Sequence, residues 1–351
     1  MYPIEKYTGD NPEKTYFLPL AFEDPAILHS MLFSTRAMSQ LSRFCAELPE
    51  AVIHLRECVR LVNERLGSSP PILTDSTIAV VATVAFVEKS MGRHDNWKIH
   101  MRGLQEIIRL RGGIGALHSN RILCNKIQRA DLCGALDARS KPYFELGIQP
   151  PIPIMDINTI EPSIGFQRII YRAVFTPAFQ QILLRVQCAT KALNMLHDGD
   201  KTINTINLRD ELTLVQYEIL GILRGRPRST VLTLEETCEL AIMLYLISIL
   251  NDLPSGVSAC DSAAVALRSA LEDSSCRESM PRGFCWWLVL MVGILVSDEP
   301  NRSWAKTFFS VNTRKHGCVR KEDALEDITE YFWVTKIHNR YLDEFWGYQN
   351  S

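Results

Sequence analysis

The sequence predicts an all-α protein: a multi-helix bundle of two packed helical halves with no significant sheet. Three observations lead there. Apolar residues recur at spacings of three and four along most of the 351 residues, the period of one helix face. The segments so marked carry helix punctuation, such as Asp24-Pro25 at a start and Gly112-Gly113 at an end. No run alternates apolar and polar residues as a half-buried strand does.

Residues 1–21 are polar and turn-rich and read as a loosely packed N-terminal arm. Asp24 as N-cap and Pro25 in the first helical position open the first clear helix, with Ile27, Leu28, Met31 and Leu32 on one face. A second helix runs from Pro49 to Leu66. Val52, Leu55, Val59, Leu61, Val62 and Leu66 point inward, Arg56, Arg60 and Glu64 outward, and Gly67-Ser-Ser-Pro-Pro71 stops it. Thr77 to Met91 is rich in β-branched residues, yet its 15 residues exceed an ordinary strand, so helix is expected. Asp95 or Asn96 then caps an amphipathic helix whose apolar face is Trp97, Met101, Leu104, Ile107, Ile108 and Leu110. Gly112-Gly113 supplies the left-handed residue that ends it, and another helix spans about Asn120 to Ala138.

Pro142 to Gly165 holds five prolines (142, 150, 151, 153 and 162) and no helical period. It is expected to link halves of about 22–141 and 166–346 within one helical domain spanning 22–346. Beyond it, helices are expected at about 167–197, 206–224, 233–252, 260–273, 283–297, 300–316 and 321–346. Those at 233–252 and 283–297 are apolar over most of their surface and require extensive burial. No repeat of constant signature suggests a solenoid.

Composition narrows the function. Hydrophobic residues make up 46% and charged residues 22%, ordinary globular values. Lys plus Arg total 38 against 40 for Asp plus Glu, so the excess cation that drives sequence-independent DNA binding is missing. The N-terminus lacks the pattern of a signal peptide. The longest apolar run, Phe284 to Val296, is 13 residues, against the roughly 20 a bilayer span needs. A soluble intracellular chain without membrane contact is therefore expected. Ten cysteines show no C-x2-C spacing and sit mostly in apolar helical patterns, which reads as reduced buried thiols, not a disulfide frame or zinc site.

Reactive motifs are sparse. Gly113-Ile-Gly115 begins like a dinucleotide fingerprint, but a helix precedes it and His118 stands where the third glycine belongs, so a helix-end turn fits better. Asn251-Asp252-Leu-Pro-Ser255 approaches the metal motif of helical terpene cyclases. Ala259 replaces its last acidic ligand, Pro254 would break the helix, and the chain has no Asp-Asp pair. The eight histidines show no His-x3-His spacing, and no G-x-S-x-G elbow is present. No catalytic, cofactor or metal residue is expected. Arg224-Gly225-Arg226-Pro227 is the core of an AT-hook, which lays arginines in a narrow A·T minor groove. The same residues suit a helix end, with Gly225 as cap and Pro227 blocking continuation.

The succession of an amphipathic Trp97 helix, Leu110-Arg-Gly-Gly113, a helix carrying Asp131 and then Pro142-Tyr-Phe144 resembles the fungal-specific transcription factor domain. That domain is the helical regulatory region of zinc-binuclear-cluster transcription factors. Asp24-Pro-Ala-Ile-Leu-His29, Leu61-Val-Asn-Glu-Arg-Leu66, Leu240-Ala-Ile-Met-Leu-Tyr-Leu246 and Trp286 to Gly293 are similar to further family segments, as are Glu299-Pro-Asn-Arg-Ser-Trp304 and Tyr331-Phe-Trp333. The resemblance implies a nuclear regulator or co-regulator of transcription without catalysis. Its partners would be other transcription regulators, a second copy of the chain or a small effector, with DNA reached only indirectly. Family members normally carry a six-cysteine zinc cluster followed by a basic linker; residues 1–44 hold no cysteine. A truncated gene model, a lost reader or a co-regulator would each account for that. The rival readings are an all-α enzyme with an unrecognised site and a helical scaffold or dimerisation protein.

Overall fold

In the first half of the chain, burial is centred on the β-branched stretch whose secondary structure was ambiguous. It is the helix Asp75–Ser90, and only Phe86 among residues 76–90 is not fully buried. Thr74 caps it by accepting the Thr77 amide, and burial on nearly every side overrides the weak helix propensity of valine and threonine. The computed structural model describes residues 4, 11–41, 49–144, 153–172, 175–226, 232–250, 261–296 and 298–349. These contain sixteen α-helices and no strand. They divide into two compact units, one within 1–150 and the other within 151–251 and 260–351.

The first unit contains α1 (Leu18–Glu23), α2 (Pro25–Leu41), α3 (Pro49–Leu66), α4 (Asp75–Ser90), α5 (His94–Leu110) and α6 (Arg121–Ala138). α4 lies against α2, α3, α5 and α6. Two charged residues are buried on it, each with a partner: Glu88 accepts from Asn96 at 2.6 Å and Lys89 meets Asp137 at 3.0 Å. Asp24 ends α1 and caps α2 as expected, accepting from the Ala26 amide at 2.8 Å and from Arg65 at 2.6 Å. Several expectations change here, and Val59 of α3 and Leu110 of α5, placed on inward faces by their spacing, are exposed. The supposed loose arm is helical from residue 12, because Phe17 and Ala21 enter the core. α2 buries Ala26, Ile27, Phe33, Ala37 and Met38, while Leu28 and Leu32 face outward. α5 begins two or three residues earlier, with Arg93 as an N-cap whose side chain makes no capping bond, and Asn96 turns instead to Glu88.

The second unit contains α7 (Ile164–Ile170), α8 (Pro177–His197), α9 (Thr205–Gly225), α10 (Leu234–Leu250), α11 (Asp261–Glu272) and α12 (Ser274–Ser279). It continues with α13 (Arg282–Leu295), α14 (Glu299–Lys315), α15 (Lys321–Thr329) and α16 (Thr335–Gln349). α13 lies against α10, α11, α14, α15 and α16, and both α10 and α13 are buried nearly throughout. The expected helix 167–197 is two helices, because Thr176 caps a fresh start and Pro177 cannot donate to a preceding turn. The expected helix 321–346 is also two. Tyr331, Phe332, Trp333 and Val334 lie between the two, and all four are buried. α12 was not expected; Asp273 caps it by accepting the Cys276 amide at 2.8 Å.

Candidate functional site

Of the residues that carried the family resemblance, Trp97, Asp131, Tyr143 and Phe144 come together in the first unit. Trp97, 1% exposed, donates its indole N–H to the Ala130 carbonyl at 2.7 Å and meets Tyr143 edge-on at 5.7 Å between centroids. The indole lies where a side chain at position 134 would be: a Cβ on Gly134 would come within 2.2 Å of Trp97 Cε2. One turn away, Asp131 accepts the amides of Tyr143 and Phe144, both at 2.9 Å. Burial raises its carboxyl to about 7 against the two bonds that favour ionisation. Gly112 and Gly113 adopt φ of 100° and 88°, as the expected helix end requires. The whole signature is therefore a latch that fixes the chain after α6 onto α5 and α6.

Beside this latch, α3 and α5 both lie on α4 and leave an apolar groove of about 270 Å³ between them. Cys58, Val62 and Leu66 of α3, Val80, Val81 and Val84 of α4, and Ile107 of α5 form its deeper walls, and Val59, Ile99 and Gly103 its mouth. Its two polar side chains are Asn63 and His100, and neither has a hydrogen-bond partner among the described residues. Burial holds the His100 imidazole below its ordinary value, so it is neutral at physiological pH. Burial also pushes the Cys58 thiol up to about 12, which removes it as a nucleophile. The groove was not legible in the sequence. Its one signal was Ile99 next to an apolar face, and Ile99 is 62% exposed.

The AT-hook-like residues sit at the end of α9. Arg224 is exposed, Gly225 ends the helix and Pro227 lies outside the described residues. Arg226 forms a two-pronged pair with Glu239, at 2.8 and 2.6 Å, and the Glu239 side chain is only 2% exposed. Entering a minor groove would leave that carboxylate buried and unpaired, at a cost of about 1–3 kcal/mol. The Asn251–Ser255 segment lies outside the described residues.

Among the described residues of the second unit, Ser248 and His338 form a Ser-His pair. Ser248 Oγ and His338 Nε2 are 2.9 Å apart, but His338 Nδ1 accepts the Val334 amide, so Nε2 carries the proton and donates to Ser248. The serine in turn donates to the Tyr245 carbonyl. This polarity is opposite to what a general base needs, and the pair is structural. Among the described residues no group of three or more His, Cys, Asp or Glu could hold a metal ion. The eight described cysteines are thiols. Trp286, Trp287 and Tyr245 are core residues, and no described helix is long and apolar enough to cross a membrane.

Residues 1–147 match the family model described as the fungal specific transcription factor domain. The match covers the latch and the groove and indicates a role in regulating transcription. The segments from Leu240 onward that resemble the family lie beyond it. No curated protein and no solved structure matches the chain.

Proposed function

We propose that this chain is a transcriptional regulator or co-regulator that acts by binding a protein partner or a small effector and performs no catalysis. The observation that carries the reading is that the family match covers the unit with the open apolar groove. In this reading the protein works in the nucleus and reaches DNA through other regulators or a second copy of itself. Arg224, Gly225 and Arg226 then serve as a helix end, supported by the engagement of Arg226 with Glu239.

The test is to tether the full chain to an unrelated DNA-binding domain upstream of a reporter in fungal cells. A several-fold change in reporter output, with nuclear extract proteins co-purifying on the chain, is expected. Unchanged output with the tethered chain well expressed would overturn the regulatory reading. A gel shift showing tight, sequence-specific binding of duplex DNA by the untethered chain would overturn the indirect route.

A further inference from the structure

We infer that the groove between α3, α4 and α5 is a binding site for a small, uncharged, mainly apolar molecule carrying one hydroxyl or carbonyl group. The inference deepens the effector part of the proposed function and rests on it. Charge is the first selector. The twelve residues that line the groove include no Lys, Arg, Asp or Glu. A carboxylate or phosphate taken in would lose its hydration with no cation to replace it.

Polarity is the second selector. Asn63 and His100 stand on opposite walls with unmatched hydrogen-bonding capacity. A neutral imidazole and an amide can each donate or accept, so together they match one hydroxyl or carbonyl on the ligand.

Size is the third. A dry apolar cavity of about 150 Å³ accommodates benzene. The groove, at about 270 Å³, is less than twice that, which suits a fused pair of rings or a chain of about ten carbons. Gly103 keeps the mouth open: a Cβ there would meet nothing within 4 Å. A larger side chain at 103 would project into the free space.

The test uses the purified full chain and three probes of one shape, 2-naphthalenemethanol, 2-methylnaphthalene and 2-naphthoate, followed by calorimetry and fluorescence. 2-Naphthalenemethanol is expected to bind saturably at one site, with 2-naphthoate at least tenfold weaker. Gly103→Leu is expected to weaken the alcohol at least tenfold while circular dichroism stays unchanged. His100→Phe is expected to weaken the alcohol several-fold and leave 2-methylnaphthalene unaffected; Asn63→Leu, at an exposed position, provides the same comparison if His100→Phe misfolds.

The inference is overturned if the alcohol shows no saturable binding at millimolar concentration, if the carboxylate binds equally well, or if Gly103→Leu changes nothing. It is also overturned if light scattering shows a dimer that Gly103→Leu dissolves, since a second copy would then fill the groove. Each of these outcomes leaves the reporter experiment independent, so failure of the ligand site and failure of the regulatory role are separable.

Discussion

Replacing Gly134 by alanine tests the latch directly, because two opposite effects compete at that position. In the interior of a helix, Gly→Ala ordinarily stabilises by about 1 kcal/mol through backbone entropy. At position 134 the added Cβ would sit 2.2, 2.3 and 2.5 Å from Trp97 Cε2, Cζ2 and Cδ2, well inside contact distance. The indole cannot yield cheaply: its N–H is bound to Ala130, His94 stacks on it with centroids 4.9 Å apart, and Tyr143 abuts its edge. Overpacking of this kind costs about 1–3 kcal/mol. Displacing the indole also removes a net hydrogen-bond contribution of about 1 kcal/mol. The balance is a loss of about 1–3 kcal/mol, which lowers Tm by about 2–4 °C per kcal/mol in a chain portion of this size. Gly103→Ala on α5 provides the control, since its Cβ is unobstructed and stabilisation by up to about 1 kcal/mol is expected. Thermal unfolding of both variants beside the parent checks the argument. A Gly134→Ala protein as stable as Gly103→Ala would refute the latch geometry.

Other expectations follow from the same structure. Asp131 has a carboxyl at about 7 in the folded chain against about 3.9 when unfolded. Its contribution to stability is therefore complete below about pH 4 and declines as pH rises through about 7; urea unfolding across that range should show the decline in the parent and its absence in Asp131→Asn. Arg226→Ala strands the buried Glu239 carboxylate and should cost about 1–3 kcal/mol in denaturant unfolding, whereas Arg224→Ala, at an exposed position, should change stability by no more than about 0.5 kcal/mol. Because burial lowers the His100 pKa, affinity of the groove for 2-naphthalenemethanol should be flat from pH 7 to 8 and change only as pH falls below the ordinary imidazole range; a steep loss between 7 and 8 in calorimetry would contradict a neutral His100.

Much of the fold was legible because helices announce themselves locally. Asp24 with Pro25, Gly67 with Pro70 and Pro71, Asn120, and Gly112-Gly113 each satisfy or terminate backbone groups by their own chemistry, and the helices around them fall where that chemistry places them. Legibility failed where a neighbour decided. Leu28 and Leu32 have the right spacing for a core face, but α2 is rotated so that Ala26, Phe33 and Ala37 meet the core instead. Spacing defines a face without saying which face is covered. Tyr331 to Val334 form an apolar run between two helices, and Tyr331 and Phe332 pack there against Phe166, Tyr245 and Trp287, partners that spacing does not reveal.

The candidate site shows the same division more sharply. His100 and Asn63 lie 37 positions apart and carry no motif. The sequence by itself determined an all-helical chain, its caps and its two most deeply buried helices, since period, capping and hydrophobicity act within a few residues. It also supplied the Trp97, Asp131 and Tyr143 signature of the family. Only the tertiary structure decided that this signature is a latch and that α3 and α5 leave a groove over α4. It likewise joined Arg226 to Glu239, because an empty space and a buried pair are properties of packed surfaces that no local spacing encodes.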